Sequence, residues 1–149
     1  MATLTATKFN CFWEDVMHGV HDLSSDQLKM ALSNVAPTAA TDDEFADITE
    51  ISAGDGYTAG GGNVTRSSSS QSSGTYTYVG SGTVAWTSTG TIGPFQYPVL
   101  YNADAANDEL IAINFGHIDF YLSLINSMPN SPTKFEGSDS LLPDTAVIR

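Results

Sequence analysis

One stretch near the start of this 149-residue chain has unambiguous helical spacing; elsewhere short apolar runs mostly alternate with polar residues and are cut by glycine, proline and serine. In "KFNCFWEDVMHGVHDL" the apolar residues are Phe9, Phe12, Trp13, Val16, Met17 and Val20. Their spacing predicts one amphipathic helix over about 8–21, with Thr7 able to cap its start and Gly19 near its end. The alternation Leu28, Met30, Leu32 predicts a strand with that face buried, and "DITEI" a second short strand. "TYTYV" and "TVAWTST" alternate likewise, with turn signals at Gly80 to Gly82 and at Gly90. "GPFQYPVLYN" places Phe95, Tyr97, Val99 and Tyr101 on one side, and Pro98, lacking an N–H, argues for an edge or a bulge. After the "ADAANDE" turn, "LIAINF" reads as a strand, and "HIDFYLSLI" fits strand and helix, with strand preferred. Pro129, Pro132 and Pro143 break any regular element in the last part of the chain.

One helix with six to eight short strands predicts a mainly β fold, an antiparallel β-sandwich with the helix against one face or edge. The expected organisation is an N-terminal arm over 1–7, one domain over 8–127, and an extended C-terminal tail over 128–149. The length suits a single core.

Charged residues are only 15% of the chain, and the net charge of −12 comes from 17 acidic and 5 basic residues. Anionic membranes and nucleic acid repel such a surface, and the five cations are too scattered to form a basic patch. Cys11 is the only cysteine, which excludes an intrachain disulfide framework. The N-terminus lacks the apolar core of a signal peptide and no run of 18 apolar residues occurs, so a soluble protein without an export address is expected.

"ITEISAGDGYTAGGG" concentrates five of the chain's 13 glycines. A phosphate cradle needs inward N–H groups, usually a Lys, and a helix directly after it. Here Asp55 sits inside the loop, no Lys is present, and the following sequence is β-like. The glycines therefore point to positive-φ turns or close backbone approach, with Tyr57 as an amphipathic contact group. The expectation is a loop that orders against a neighbouring molecule, residues 53–74 staying mobile in the isolated protein.

Glu14, His18, His21 and Asp22 have the i, i+3 and i+4 spacing of metal ligands on one helix face, but the order is not that of a zincin; a polar helix face is the default. Cys11 has no base placed beside it in sequence and reads as a small buried side chain. No G-x-S-x-G elbow occurs. The acidic groups Asp42, Asp43, Glu44 and Asp104, Asp108, Glu109 do not match calcium-loop spacing and read as solvated loops. "NVT" at Asn63 formally matches a glycosylation acceptor. No catalytic residue, cofactor or metal is assigned.

The succession "KFNCFWEDVMHGVHDLSSDQLKMALSN", "ADITEISAGDGYTAGGG", "SSQSSGTY", "AWTSTGTIGPFQYPVLYN" and "DELIA" resembles a family of small structural proteins of tailed bacteriophages, over roughly residues 7 to 113. The last third departs from that pattern. The resemblance brings no catalytic motif and implies a virion component, made in the host cytoplasm. Acidity favours the outside of the head, away from DNA, so the expected role is a capsid decoration (cement) protein. Its partners would be the major capsid protein and copies of itself, as a homo-oligomer on the virion, with no direct nucleic acid and no membrane. Contact elements would be Thr3 and Thr5 in the arm, Tyr57 with Gly60, Gly61 and Gly62 in the loop, and Leu141, Leu142, Val147 and Ile148 in the tail. The alternatives are a tail protein (tube, collar or fibre component) or a host glycan-binding module using Trp86, Tyr97 or Tyr101 as stacking platforms.

Overall fold

The computed structural model describes residues 5–81 and 84–115. Within them the chain runs β1 (Thr5–Lys8), α1 (Phe12–Met17), β2 (Leu28–Ser33), a 3-10 turn (Phe45–Asp47), β3 (Gly62–Ser72), β4 (Thr75–Ser81), β5 (Tyr97–Asn102) and β6 (Leu110–Phe115). The strands form a single antiparallel sheet in the order β1-β6-β5-β2-β3-β4, curled into a half-barrel. The mainly β class follows the alternation. The second sheet of the expected sandwich does not occur among the described residues.

The described end of the expected N-terminal arm, from Thr5, is instead part of a strand that ends the sheet: Thr5 faces Phe115, and Lys8 faces Ala112. Taking these residues into the sheet shortens the helix to six residues, well inside the expected 8–21. Gly19 ends it. With φ +73 it lies where only glycine rests easily; its N–H donates to the Val16 carbonyl and the Val20 N–H to the Asp15 carbonyl. That pair of bonds is the Schellman stop. The anticipated apolar stripe is therefore split. Phe12 is buried and Val16 packs beside it, Phe9 enters a different cluster, and Trp13 and Met17 are 51% and 79% exposed.

Both faces of the sheet are covered. On β5, Val99 and Tyr101 join Phe9, Ala31, Ile48, Leu110 and Ile113 in one cluster, while Leu100 packs against Phe12, Leu28, Tyr78, Ile111 and Ala112 in another. A register shift sets Leu100 opposite Ala112 but Tyr101 opposite Leu110. Ile111 is thus the extra residue of a bulge, which is why Ile111 and Ala112 share a cluster although adjacent in sequence. Leu32, Tyr57 and Trp86 make a third cluster, flanked by Phe95.

Of the two alternatives expected from Pro98, an edge does not occur, because β5 lies between β6 and β2, whereas a bulge does occur in the pairing of β5 with β6, between Leu100 and Tyr101. The partner of Pro98, Leu32, turns its N–H to the Tyr57 hydroxyl and its carbonyl to the Ile51 N–H. The Leu32 side of the pair asks for no donor from Pro98, and pairing of β5 with β6 begins at Val99. "DITEI" is not a strand; it gives a 3-10 turn and a single bridge between Ser33 and Glu50. "TVAWTST" also forms no strand over its described residues, since Trp86 is drawn into the third cluster and the Thr89 N–H is taken by the Asp55 carbonyl. "HIDFYLSLI" and the expected tail lie outside the described residues.

The serine run, which composition left open between loop and strand, is β3. It pairs with β2 only through Gly62, Asn63 and Val64, then continues with β4 as a long hairpin. Ser73 and Gly74, at φ +50 and +79, connect the two strands as a two-residue turn whose positive φ values match the strand twist.

Candidate functional site

The glycine loop is locked inside its own chain. Gly54 and Tyr57 exchange backbone hydrogen bonds of 3.0 and 2.8 Å around Asp55 and Gly56, both at positive φ. Tyr57 is only 3% exposed. Its hydroxyl donates to Glu50 Oε1 at 2.6 Å and accepts from the Leu32 N–H at 3.0 Å. Glu50 Oε1 also accepts the Gly60 N–H at 2.7 Å, while Tyr101 donates to the Gly60 carbonyl at 2.7 Å. Burial, then the bond to Glu50, raises the Tyr57 hydroxyl pKa well above its ordinary value. Gly61 lies so close to the Met30 carbonyl that a β-carbon has no room.

The expectation of a loop ordered by a neighbour, with Tyr57 offered at the surface, is thus corrected. Tyr57, Gly60 and Gly61 are held by Glu50, Leu32, Tyr101 and Met30, and Gly62 opens β3. Thr5 is a strand residue rather than part of a free arm. Thr3, Leu141, Leu142, Val147 and Ile148 lie outside the described residues.

The helix histidines do not converge. His18 Nδ1 is 3.9 Å from Glu14 Oε1 on an exposed face, whereas the His21 side chain is fully buried. Asp22 instead accepts from the Ser24 N–H at 2.9 Å and from its hydroxyl. His21 stacks on Phe12, with Nδ1 3.2 Å from Asn102 Nδ2 and Nε2 3.8 Å from Asp15 Oδ2. The Asn102 amide donates to Asp26 Oδ2 at 2.7 Å, so Nδ1 accepts and the proton belongs on Nε2. Burial lowers the His21 pKa, against the pull of Asp15 and Asp26. Asn102 and Asp26 were not singled out from sequence; an Asn at a strand end carries no signal of such a bond.

Cys11 is half-buried, with its thiol 3.7 Å from the Leu110 carbonyl. Burial, then the negative charge and hydrogen bond of Asp15, push its pKa up to about 12. That is the reverse of nucleophile activation. The acidic loops brace turns: Asp42 accepts the Thr38 N–H, Asp47 the Asp43 and Glu44 N–H groups, and Asp104 that of Gln27. Among the described residues no three His, Cys, Asp or Glu side chains converge as a metal requires. An open groove of about 380 Å³ between Asn34–Val35, residues 49–55 and Gly93–Pro94 has no charged group beyond Glu50 and Asp55, and Glu50 is already committed to Tyr57 and Gly60. Of the possible sugar platforms, Trp86 and Tyr101 are buried, and Tyr97 packs against the core.

What remains is a surface. None of the 17 acidic residues falls between residues 56 and 103, and Arg66 is the only charged residue there. This acid-free stretch contains β3, β4 and β5, with β4 at the end of the sheet. The acids of the described residues sit on α1, the turns around it, and the loops before β3 and β6. The signal was present in the sequence as a gap in the acid distribution. No family model, curated protein or solved structure matches this chain. Its role must be read from the molecule itself.

Proposed function

We propose that this chain is a non-catalytic structural subunit of a tailed-bacteriophage virion, a decoration protein on the outer surface of the head. Its partners are the major capsid protein and its own copies. The observation that supports this best is the division of charge along the chain, in which the terminal strands β3 and β4 carry Arg66 and no acid while the segments before β3 and before β6 are acidic. A shell protein needs one surface that can approach other subunits and another that stays solvated. Acids turned outward keep the packed genome and the subunit's own charge apart. The unactivated thiol of Cys11 fits a part that performs no chemistry. Binding to the mature lattice alone stabilises that lattice by mass action, and repeated contacts add avidity. The β-sandwich expected from the sequence is proposed as the form the chain takes in the assembled shell.

Purified particles separated into heads and tails test this reading. The chain should follow the heads, and adding it to heads stripped of it should raise the temperature at which they release DNA. Recovery with the tails, or absence from particles, overturns it.

A further inference from the structure

Resting on the reading of the chain as an assembly subunit, we propose that β4 is its self-association edge, pairing antiparallel with β4 of a second copy. The hairpin geometry decides which groups are on offer. The two-residue turn at Ser73–Gly74 makes Ser72 and Thr75 the hydrogen-bonded closing pair, so Thr75, Thr77 and Val79 spend their backbone groups on β3. The alternate residues Tyr76, Tyr78 and Gly80 turn their N–H and carbonyl groups outward. β4 is terminal in the sheet, so no strand among the described residues receives them.

That edge is fixed and undefended. The Tyr78 side chain is buried with Phe12, Leu28 and Ile111, and Tyr76 packs against the same cluster, which holds the strand in place. Its sequence, TYTYVGS, combines strand-forming residues with no charge and no proline. Proteins that must stay monomeric blunt such an edge with lysine, proline or a very short strand. The opposite edge, β1, has two of those defences: it is four residues long and ends in Lys8.

Charge selects the occupant. Two copies at −12 each repel over most approaches, and the acid-free stretch is where they can meet. A basic partner would be drawn to the acidic loops instead. A two-fold axis at Tyr78 sets Tyr78 opposite its counterpart and Tyr76 opposite Gly80 in both directions. Those three facing pairs give roughly six backbone hydrogen bonds, two per pair, and join two half-barrels through one continuous sheet.

The full-length chain alone, without particles, tests this by sedimentation and residue-resolved amide exchange across a concentration series. A dimer is expected, with the Tyr76, Tyr78 and Gly80 amides slowing as concentration rises. Thr77→Lys, on the strand face opposite Tyr76 and Tyr78, should weaken association by at least about tenfold, since each lysine then stands opposite Val79 of the other copy and diagonal to the second lysine, within reach of its like charge; Thr77→Val should not. A monomer whose three amides exchange rapidly at every concentration overturns the proposal. So does a monomer with those amides protected, because the edge is then covered by the chain's own residues, and so does a dimer that leaves them unprotected. Head binding is measured separately, so loss of one property does not remove the other.

Discussion

Glu50 and Tyr57 are joined by a 2.6 Å hydrogen bond that closes the glycine loop onto the sheet. The same carboxylate oxygen holds the Gly60 N–H, and the same hydroxyl satisfies the Leu32 N–H near the end of β2. One side-chain pair thus replaces the ladder partners that β2 lacks beyond Gly62, where β3 pairing stops.

Tyr57→Phe keeps the ring but leaves the Leu32 N–H buried without an acceptor. A loss of about 1–3 kcal/mol is expected, read as a lower urea midpoint at unchanged slope. A midpoint equal to that of the native protein would show that the hydroxyl contributes nothing.

Glycines in this chain are not equivalent. Gly61 has φ +71 and no space before the Met30 carbonyl, whereas Gly74 has φ +79 with nothing near it. Gly61→Ala should cost more than about 2 kcal/mol, through strain and clash together. Gly74→Ala meets only the backbone penalty of about 1–2 kcal/mol. Equilibrium unfolding of both variants should rank them in that order.

The thiol of Cys11, at a pKa of about 12 against an ordinary 9.0, carries roughly a thousandfold less thiolate near neutral pH than a free cysteine. Disulfide-reagent labelling at pH 8 should be correspondingly slow in the native protein and rapid in urea. Equal rates in both states would place the thiol in solvent.

His21 sets a pH dependence of definite sign. Its folded pKa lies below the ordinary 6.5, so between those two values the unfolded chain binds more protons. The contribution is complete above pH 6.5 and is lost as pH falls through the folded pKa. Relative to His21→Gln, the native protein should gain stability as pH rises from 5 to 7. A flat difference would mean that His21 titrates alike in both states.

Local pattern carried much of this fold. The alternation in Tyr97, Val99 and Tyr101 placed these residues in one cluster, though Phe95 joins another, and on β2 Leu28 and Leu32 are buried while Met30 is only half-buried and Ala31 and Ser33 of the other face are buried too. It failed where a tertiary partner outweighed local preference. Lys8 left the helical pattern, and residues 5–7 the expected arm, because β6 offered them a ladder, and Pro98 entered the sheet interior because Leu32 bonds elsewhere. The glycine loop was read correctly as needing positive φ and close approach, but the surface it approaches is its own β2, fixed by a Glu50–Tyr57 bond that no spacing rule encodes. The end of the sheet at β4 was the least legible. Its strand could be seen in "TYTYV", yet only the pairing order shows that β4 ends the sheet among the described residues.

The most direct measurement is an electron cryo-microscopy map of the intact phage head. The chain should lie on the outer shell, with the β3–β4 hairpin turned to neighbouring subunits and the acidic loop around Asp42, Asp43 and Glu44 turned to solvent. Density for the chain beneath the shell against packaged DNA, or none on the head at all, would contradict this placement.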